Sequence, residues 1–413
     1  MMEHFYSAND DQLPLRSGPL APHLDSFAAR LSEQGYSKYY GRQKIEMVAD
    51  LSQWLDRNHI PVANLNERRI DVFLAARSKG RCHIGGEKFM LVKLLRQLRE
   101  DGLVPVAPPP AVRDPIDLIE REYGRFLSQE RGLSQSTLHN YLPVARAFLS
   151  QRFGATKVRL KELQSKDATG FILHQASSSA GRGQAQRATC ALRSFLRFLY
   201  QRGHLAINLS ASVPTVAICR LLDLPHFLPP EQVERLLQSC DQSSPIGLRD
   251  YAVLLLLARL GLRAGEVVHL SLDAINWEAA AVLIRGKSSR EDRLPLPEDV
   301  GQALANYLRN GRPECSSRRV FLRVNAPRQG FSSSVAICNI VRRALKRTGL
   351  SPHFKGAHLL RRSLATTMLR RGASLAQIGQ ILRHQQAQTT EIYAKVHLTA
   401  LRALAQPWPG GAR

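Results

Sequence analysis

Paired cysteines are missing from this chain. Its six, Cys82, Cys190, Cys219, Cys240, Cys315 and Cys338, include no CxxC pair, and none stands beside spaced histidines. That pattern argues against both a zinc site and a disulfide framework, and leaves scattered thiols in a reducing compartment. Long apolar runs are missing too, since none reaches the ~20 residues that a membrane-spanning helix needs. The N-terminal MMEHFYSANDD lacks the basic, apolar and small-residue zones of a secretory signal, so a cytoplasmic location is expected. Acidic residues are in short supply, and no carboxylate pair or triad of the two-metal nuclease kind stands out. Neither a divalent ion nor any other cofactor is expected.

What is present is positive charge. Lysine and arginine number 58 against 34 acidic residues, a net charge of +24 over 413 residues. A surface this basic attracts polyanions, of which nucleic acid is the commonest. The charge is spread along the chain rather than gathered in one amphipathic helix, which argues against a membrane-surface role.

The length calls for two to four domains. Residues 1–20 read as a polar tail. Residues 21–105 read as helices, with Phe27, Leu31, Val48, Leu51 and Leu55 at helical spacing. The stretch PVAPPPAVRDP at 105–115 is too rich in proline to continue a helix, so a linker is placed at 106–115. Residues 116–210 repeat the layout of the first helical segment. Phe126, Gly132, Phe148, Leu163, Phe171 and Gly203 answer to Phe27, Gly35, Leu51, Leu65, Phe73 and Gly102, at an offset of 97 to 101 residues. A second linker, 211–225, leads to a last domain over 226–413. There, Tyr251 to Leu260 forms a strongly apolar helix stopped at Gly261, with Arg263 just beyond the stop. Ala281 to Arg285 and Arg293 to Leu296 form a β-hairpin whose loop carries Lys287 and Arg290. Val320-Phe321-Leu322 is a candidate third strand.

The stretch His358 to Tyr393 concentrates the chemistry. His358 and Arg361 are three apart on a helix and share one face. Gly372 stops that helix after Arg370 and Arg371. Ser374 with Gln377 makes a capping-box start for the next helix, whose buried stripe is Leu375, Ile378 and Leu382. His384 follows, and Tyr393 comes nine residues later. Two histidines, an arginine and a tyrosine with little acidic charge nearby suit a phosphate diester better than a metal or a carbonyl.

Arg263 in GLRAGEVVHLSLDAI, Lys287 in the hairpin, His358 and Arg361 in HLLRRSLAT, His384 in ILRH and Tyr393 in TTEIY resemble the tyrosine recombinases, or phage integrase family. The resemblance spans roughly residues 115–400 and rests on these six residues recurring in the family's order. It implies a mainly α chain with a small β-sheet. A helical SAM-like core-binding domain over 116–210 would precede a mixed α/β catalytic domain, the pair closing as a C-shaped clamp on duplex DNA. It further implies specific recombination sites as substrate and a homo- or hetero-tetramer on DNA. The segment 21–105 would be a second module of the core-binding type lengthening the DNA footprint, or an extension serving stability or oligomerisation.

Each position has a physical reading beside the resemblance. Cleavage of a phosphodiester builds negative charge on a five-coordinate phosphorus, and without a metal the protein must supply fixed cations and donors. Arg263 and Arg361 each offer a forked pair of N–H groups to the non-bridging oxygens. Tyr393 would be the nucleophile, leaving a 3′-phosphotyrosine. Lys287 would protonate the 5′-oxygen leaving group. His358 would assist deprotonation of the tyrosine, and His384 would hydrogen-bond the phosphate. Glu266 and Asp273 are read as partners that orient Arg263 or neighbouring helices. Arg187, Arg193 and Arg290 are expected DNA contacts. Arg362 stands where the family often has histidine, and the hairpin reads GKSS where GKG is common. Two other readings stay open: a DNA-binding protein of this fold that no longer cuts, and a monomeric type IB topoisomerase.

Overall fold

The structure, a computed structural model, describes residues 4–6, 16–78, 86–106, 114–154, 157–177, 182–216, 226–286 and 291–394. The chain divides into two compact units: Met1–Pro105 together with Asp223–Arg413, and Val106–Leu222.

The first helical segment holds α1 (Leu24–Glu33), α2 (Lys38–Arg57), α3 (Glu67–Ser78) and α4 (Glu87–Glu100). Ser37 in extended conformation caps α2, its side chain accepting from Tyr40 N. Phe27 and Leu31, then Ile45, Val48, Leu51 and Leu55, then Leu91, Leu95 and Leu98, at three- and four-residue spacings within their helices, close one apolar core. The second unit holds α5 (Pro115–Arg125), α6 (Gln135–Phe153), α7 (Ser165–Ser177) and α8 (Arg182–Gln201). Asp114 and Pro115, read from sequence as the end of the linker, already belong to α5. Asp114 Oδ1 accepts from Ile116 N at 2.9 Å, and Pro115 occupies the first turn, where its missing N–H costs nothing. An aromatic cluster fills this core, with the Tyr123 ring 5.1 Å from each of Phe195 and Phe198.

The two four-helix sets run in parallel. Ser37 and Ser134 are both extended N-caps. Short 3-10 turns, Val62–Asn64 and Leu160–Glu162, precede the third helix of each set. Gly102 and Gly203 both take φ +73° after the fourth.

The remainder of the chain holds α9 (Pro230–Gln238), α10 (Pro245–Arg259), α11 (Ala264–His269), β1 (Ile275–Asn276), β2 (Ala281–Arg285), β3 (Glu291–Pro295), α12 (Glu298–Asn306), α13 (Ser334–Arg347), α14 (Ala357–Arg370), α15 (Leu375–Ile381) and α16 (Gln388–Glu391). Helix α10 is its axis and is buried almost all round, including Leu254, Leu255, Leu256 and Leu257. It starts earlier than its apolar run, because Ser244 accepts from Gly247 N and Pro245 opens the first turn. The strands form one antiparallel sheet in the order β1-β2-β3, with Ile275 opposite Val282 and Val282 opposite Leu294.

The expected third strand at Val320-Phe321-Leu322 is not one; β1 takes that place in the sheet. The segment makes only single bridges, Ser271 to Arg319 and Leu322 to Gly330. Val320 and Phe321 join the same core as α10. The backbone of Leu322 is taken by side chains instead of a ladder. Its N–H donates to Tyr307 Oη at 3.2 Å, and its carbonyl accepts from Arg249 Nη1 at 3.3 Å.

Candidate active site

Gly261 sets the geometry of the site. It takes φ +58°, a left-handed conformation that glycine adopts without steric cost. A Cβ there would lie 2.7 Å from Leu382 Cδ2 and 3.1 Å from Leu364 Cδ2. The stop therefore ends α10 while letting α14 and the end of α15 approach closely. Two residues on, Arg263 is the extended N-cap of α11.

Glu266, at the third position of α11 and buried, gathers the cations. Its Oε2 accepts from Arg263 N and from Arg383 Nη2, both at 2.8 Å, and its Oε1 accepts from Arg263 Nη1 at 2.8 Å. Burial alone would raise its carboxyl, but Arg383 and then Arg263 hold it below the ordinary glutamate value. Arg263 Nη2 also donates to the Arg383 carbonyl at 3.3 Å. One buried carboxylate thus ties the segment after α10 to the segment after α15. Asp273, the other acid singled out in sequence, does not reach Arg263; it pairs with Arg318 at an exposed position.

Arg361 lies on α14 and is 1% exposed. It donates to the carbonyls of Gly261 and Leu382. Burial, and then the field of Arg263 and Arg383, lowers its pKa to about 10, so it remains charged at neutral pH. His358, one turn earlier, keeps its outer edge open to water. Its pKa is pushed down to about 4, by burial of the ring against the helix and then by Arg362, Arg361 and Arg263.

His384 follows Arg383 in the turn after α15. Its Nδ1 lies 2.7 Å from Thr390 Oγ1 on α16. Burial, followed by Arg361 and Arg263, lowers its pKa to about 4. Both rings are therefore neutral at pH 7 in the free protein. Tyr393 is 2% exposed and packs with Ala365, Leu369, Ile378 and Leu382. Burial raises its phenol, and Arg361 and Arg362 partly oppose the rise. The capping box that starts α15 is complete, with Ser374 Oγ accepting from Gln377 N and Gln377 Oε1 from Ser374 N.

The structure therefore brings together Arg263, His358, Arg361, His384 and Tyr393. Lys287 and Arg290 lie outside the described residues; the flanking strands β2 and β3 pair as the expected hairpin, β3 beginning at Glu291. Arg187 is exposed on α8. Arg193 turns its guanidinium to the Val213 carbonyl at 2.8 Å and to Thr215 Oγ1 at 2.7 Å, on its own unit. Arg362 lies over the Phe354 ring at 5.5 Å.

Sequence reading missed Arg383 and Thr390. Arg383 has φ +56°, a backbone region where a side chain is strained, yet its side chain is only 6% exposed. Nothing in ILRH announces that conformation. Three arginines around one buried carboxylate leave a surplus of fixed positive charge, beside two neutral imidazoles and a buried phenol. That set can hold an anionic oxygen cluster and move a proton beside it.

Residues 226–399 match the family model "Phage integrase family", and residues 121–203 match "Phage integrase, N-terminal SAM-like domain". A putative integrase/recombinase, y4rA, of Sinorhizobium fredii is 42% identical over all of both chains. Tyrosine recombinase XerD of Listeria monocytogenes is 31% identical over 69% of this chain and 95% of its own. Among solved structures, the XerH site-specific recombinase in a post-cleavage complex with its difH substrate covers 73% of this chain and 99% of its own. Its TM-score is 0.55 at 17% identity. A lambda integrase dimer bound to a COC′ core site covers 74% of this chain and 86% of its own, with TM-score 0.52 at 18% identity. At these identities the structural likeness speaks to the fold.

Proposed function

The chain belongs to the phage integrase family of tyrosine recombinases, and from that premise we propose that it is a site-specific DNA recombinase cutting and rejoining strands through a 3′-phosphotyrosine. The observation that carries the reading is the place of Arg361: it donates to the carbonyls of Gly261 and Leu382, two residues before Arg263 and His384, and its charge acts on His358, His384 and buried Tyr393.

In this reading the scissile phosphate sits between Arg263 and Arg361. Their N–H forks meet its non-bridging oxygens, where charge grows as the fifth bond to phosphorus forms. Tyr393 Oη attacks phosphorus and the bond to the 5′-oxygen breaks. His358, neutral in the free protein, takes the phenol proton, and Lys287 on the β2–β3 loop gives a proton to the departing 5′-oxygen. His384 Nδ1 pairs with the Thr390 hydroxyl; the tautomer that serves this reading is the one protonated on Nε2, which donates to the phosphate. Attack by a 5′-hydroxyl reverses the steps and reseals DNA without an external energy source.

Segment 116–210 is the core-binding domain in this reading and 226–413 the catalytic one, with 21–105 a second module of the same type. Parallel caps and turns in the two helical sets support that duplication. The substrate is double-stranded DNA at specific sites, cut by a tetramer, and the location is cytoplasmic. Among the described residues, no helix is long and apolar enough to cross a membrane.

The test uses a nicked suicide duplex from which the cleaved strand end diffuses away. Wild-type protein is expected to accumulate a covalent adduct. Tyr393→Phe is expected to bind the duplex and form none; adduct with that variant would overturn the assignment.

A further inference from the structure

A cleft in the first unit is lined by none of the strand-transfer residues. It has a volume of about 950 Å³ and is walled by the turn after α1, by α2 and α4, and by the loop at 323–328. That size lies near the upper end of the roughly 300–1,000 Å³ typical of small-molecule sites. The loop is held to the first helical segment by its backbone, with Arg328 N donating to the Gln34 carbonyl at 2.8 Å. Gly35, at φ +74°, lets the Arg328 side chain lie directly against it.

The charge in this cleft is unbalanced. Lys44, Arg77, Lys93, Arg323 and Arg328 line it against Glu46 and Glu87. Glu87 is committed to Arg77 at 3.1 Å, and Arg77 also meets Asp50 at 3.1 Å. That leaves four cations facing Glu46 alone. Lys93 Nζ donates to the Gln34 side-chain amide at 2.6 Å, and Lys44 Nζ lies 5.1 Å from the centre of the Tyr36 ring. Neither lysine has a carboxylate partner among the described residues. Burial lowers the proton affinity of both, and Lys93 is lowered further by Lys44, Arg323 and Arg96. Half-buried like charges held together without a counter-ion cost stability, and an anion placed among them would recover it.

The rim supplies the second half of a recognition pattern. Tyr40 is 60% exposed and Phe89 is 75% exposed, and both border the cleft. Exposed rings beside clustered cations are the means by which proteins hold an unstacked base and its phosphate together.

We propose that this cleft binds a nucleoside phosphate, with the phosphate among Lys44, Lys93 and Arg323 and the base against Tyr40 and Phe89. This goes beyond the strand-transfer reading and uses none of its residues. The nucleotide has two possible sources, free in solution or within a DNA strand. Because its walls come from the first helical segment and from the loop that follows Leu322, occupancy strengthens the hold between them.

The test is calorimetric titration at low salt with dAMP, deoxyadenosine and a 5′-phosphorylated trideoxynucleotide. Wild-type protein is expected to bind dAMP with Kd below about 1 mM, and deoxyadenosine at least about tenfold more weakly, a difference near 1.4 kcal/mol. The Lys44→Gln/Lys93→Gln variant is expected to lose about tenfold or more in dAMP affinity, since charge-assisted contacts are the strong ones. With protein in excess over its Kd for the suicide duplex, the single-turnover rate of adduct formation by this variant is expected to match wild type, which separates this site from the strand-transfer centre. Equal affinity for dAMP and the trinucleotide identifies the free nucleotide as ligand; about tenfold tighter trinucleotide binding identifies a DNA strand. The proposal is overturned if wild type does not bind dAMP, if deoxyadenosine binds as well as dAMP, or if the double variant keeps wild-type affinity.

Discussion

Glu266→Gln is the sharpest perturbation of the site, because one carboxylate serves two arginines from distant segments. The amide keeps the shape and one acceptor oxygen but removes the charge. Arg383, with a side chain only 6% exposed, then becomes a buried cation without its partner. Breaking a buried pair in this way costs about 3–5 kcal/mol, and the retained acceptor brings that to about 2–4 kcal/mol. The Arg263 side chain is 42% exposed, so water screens its share and adds at most about 1 kcal/mol. Arg361 also loses the carboxylate whose charge helps to hold its proton affinity up. Urea denaturation measures the stability loss. Single-turnover adduct formation on the suicide duplex measures the rest: Arg263 displaced by about an ångström is expected to slow cleavage roughly 100-fold. Arg383→Gly, which suits φ +56°, completes a cycle in which the double variant loses less than the sum, by about 1–3 kcal/mol. A Glu266→Gln protein within about 0.5 kcal/mol of wild type, with an unchanged cleavage rate, would refute the role given to this carboxylate.

Gly261→Ala is expected to destabilise by about 2–3 kcal/mol, from the positive φ and the contact with Leu382, and to slow adduct formation because Arg361 and Arg263 both depend on that turn. Urea midpoints and single-turnover rates check it. His358 and His384 fold with pKa values near 4, below the roughly 6.5 of an unfolded histidine, so the stability their neutral forms contribute is present above about pH 6.5 and lost as pH falls through about 4. Urea midpoints between these limits are expected to fall less in His358→Gln/His384→Gln than in wild type; equal slopes would contradict it. DNA carrying a charged scissile phosphate is expected to raise both pKa values, by histidine NMR titration, while a neutral methylphosphonate at that position leaves them low. Lys287→Ala is expected to abolish cleavage of ordinary DNA and to recover on a 5′-thio leaving group, which departs without a proton; failure to recover would remove Lys287 as the acid.

Much of this site was legible in the sequence because its signals are local. The three-residue spacing of His358 and Arg361 places both on α14, the Ser374–Gln377 pair starts α15, and Gly261 ends α10. What was not legible depends on contacts between distant segments. That Glu266 is shared by Arg263 and Arg383 crosses 117 residues, and the left-handed backbone of Arg383 leaves no mark in its residue type. Val320-Phe321-Leu322 has the composition of a strand, but Leu322 gives its N–H to the Tyr307 hydroxyl and its carbonyl to the Arg249 guanidinium. Composition cannot distinguish that from a ladder. Asp273 was grouped with Glu266 by its neighbourhood in sequence, yet it sits at the surface with Arg318.

The most direct measurement is to find which residue carries the DNA. Wild-type protein trapped on the suicide duplex, digested with nuclease and trypsin, is expected to yield the peptide His384–Lys395 with a nucleotide remnant on Tyr393, the only tyrosine in that peptide. A remnant on any other peptide, or an adduct that forms without modifying Tyr393, would contradict the account.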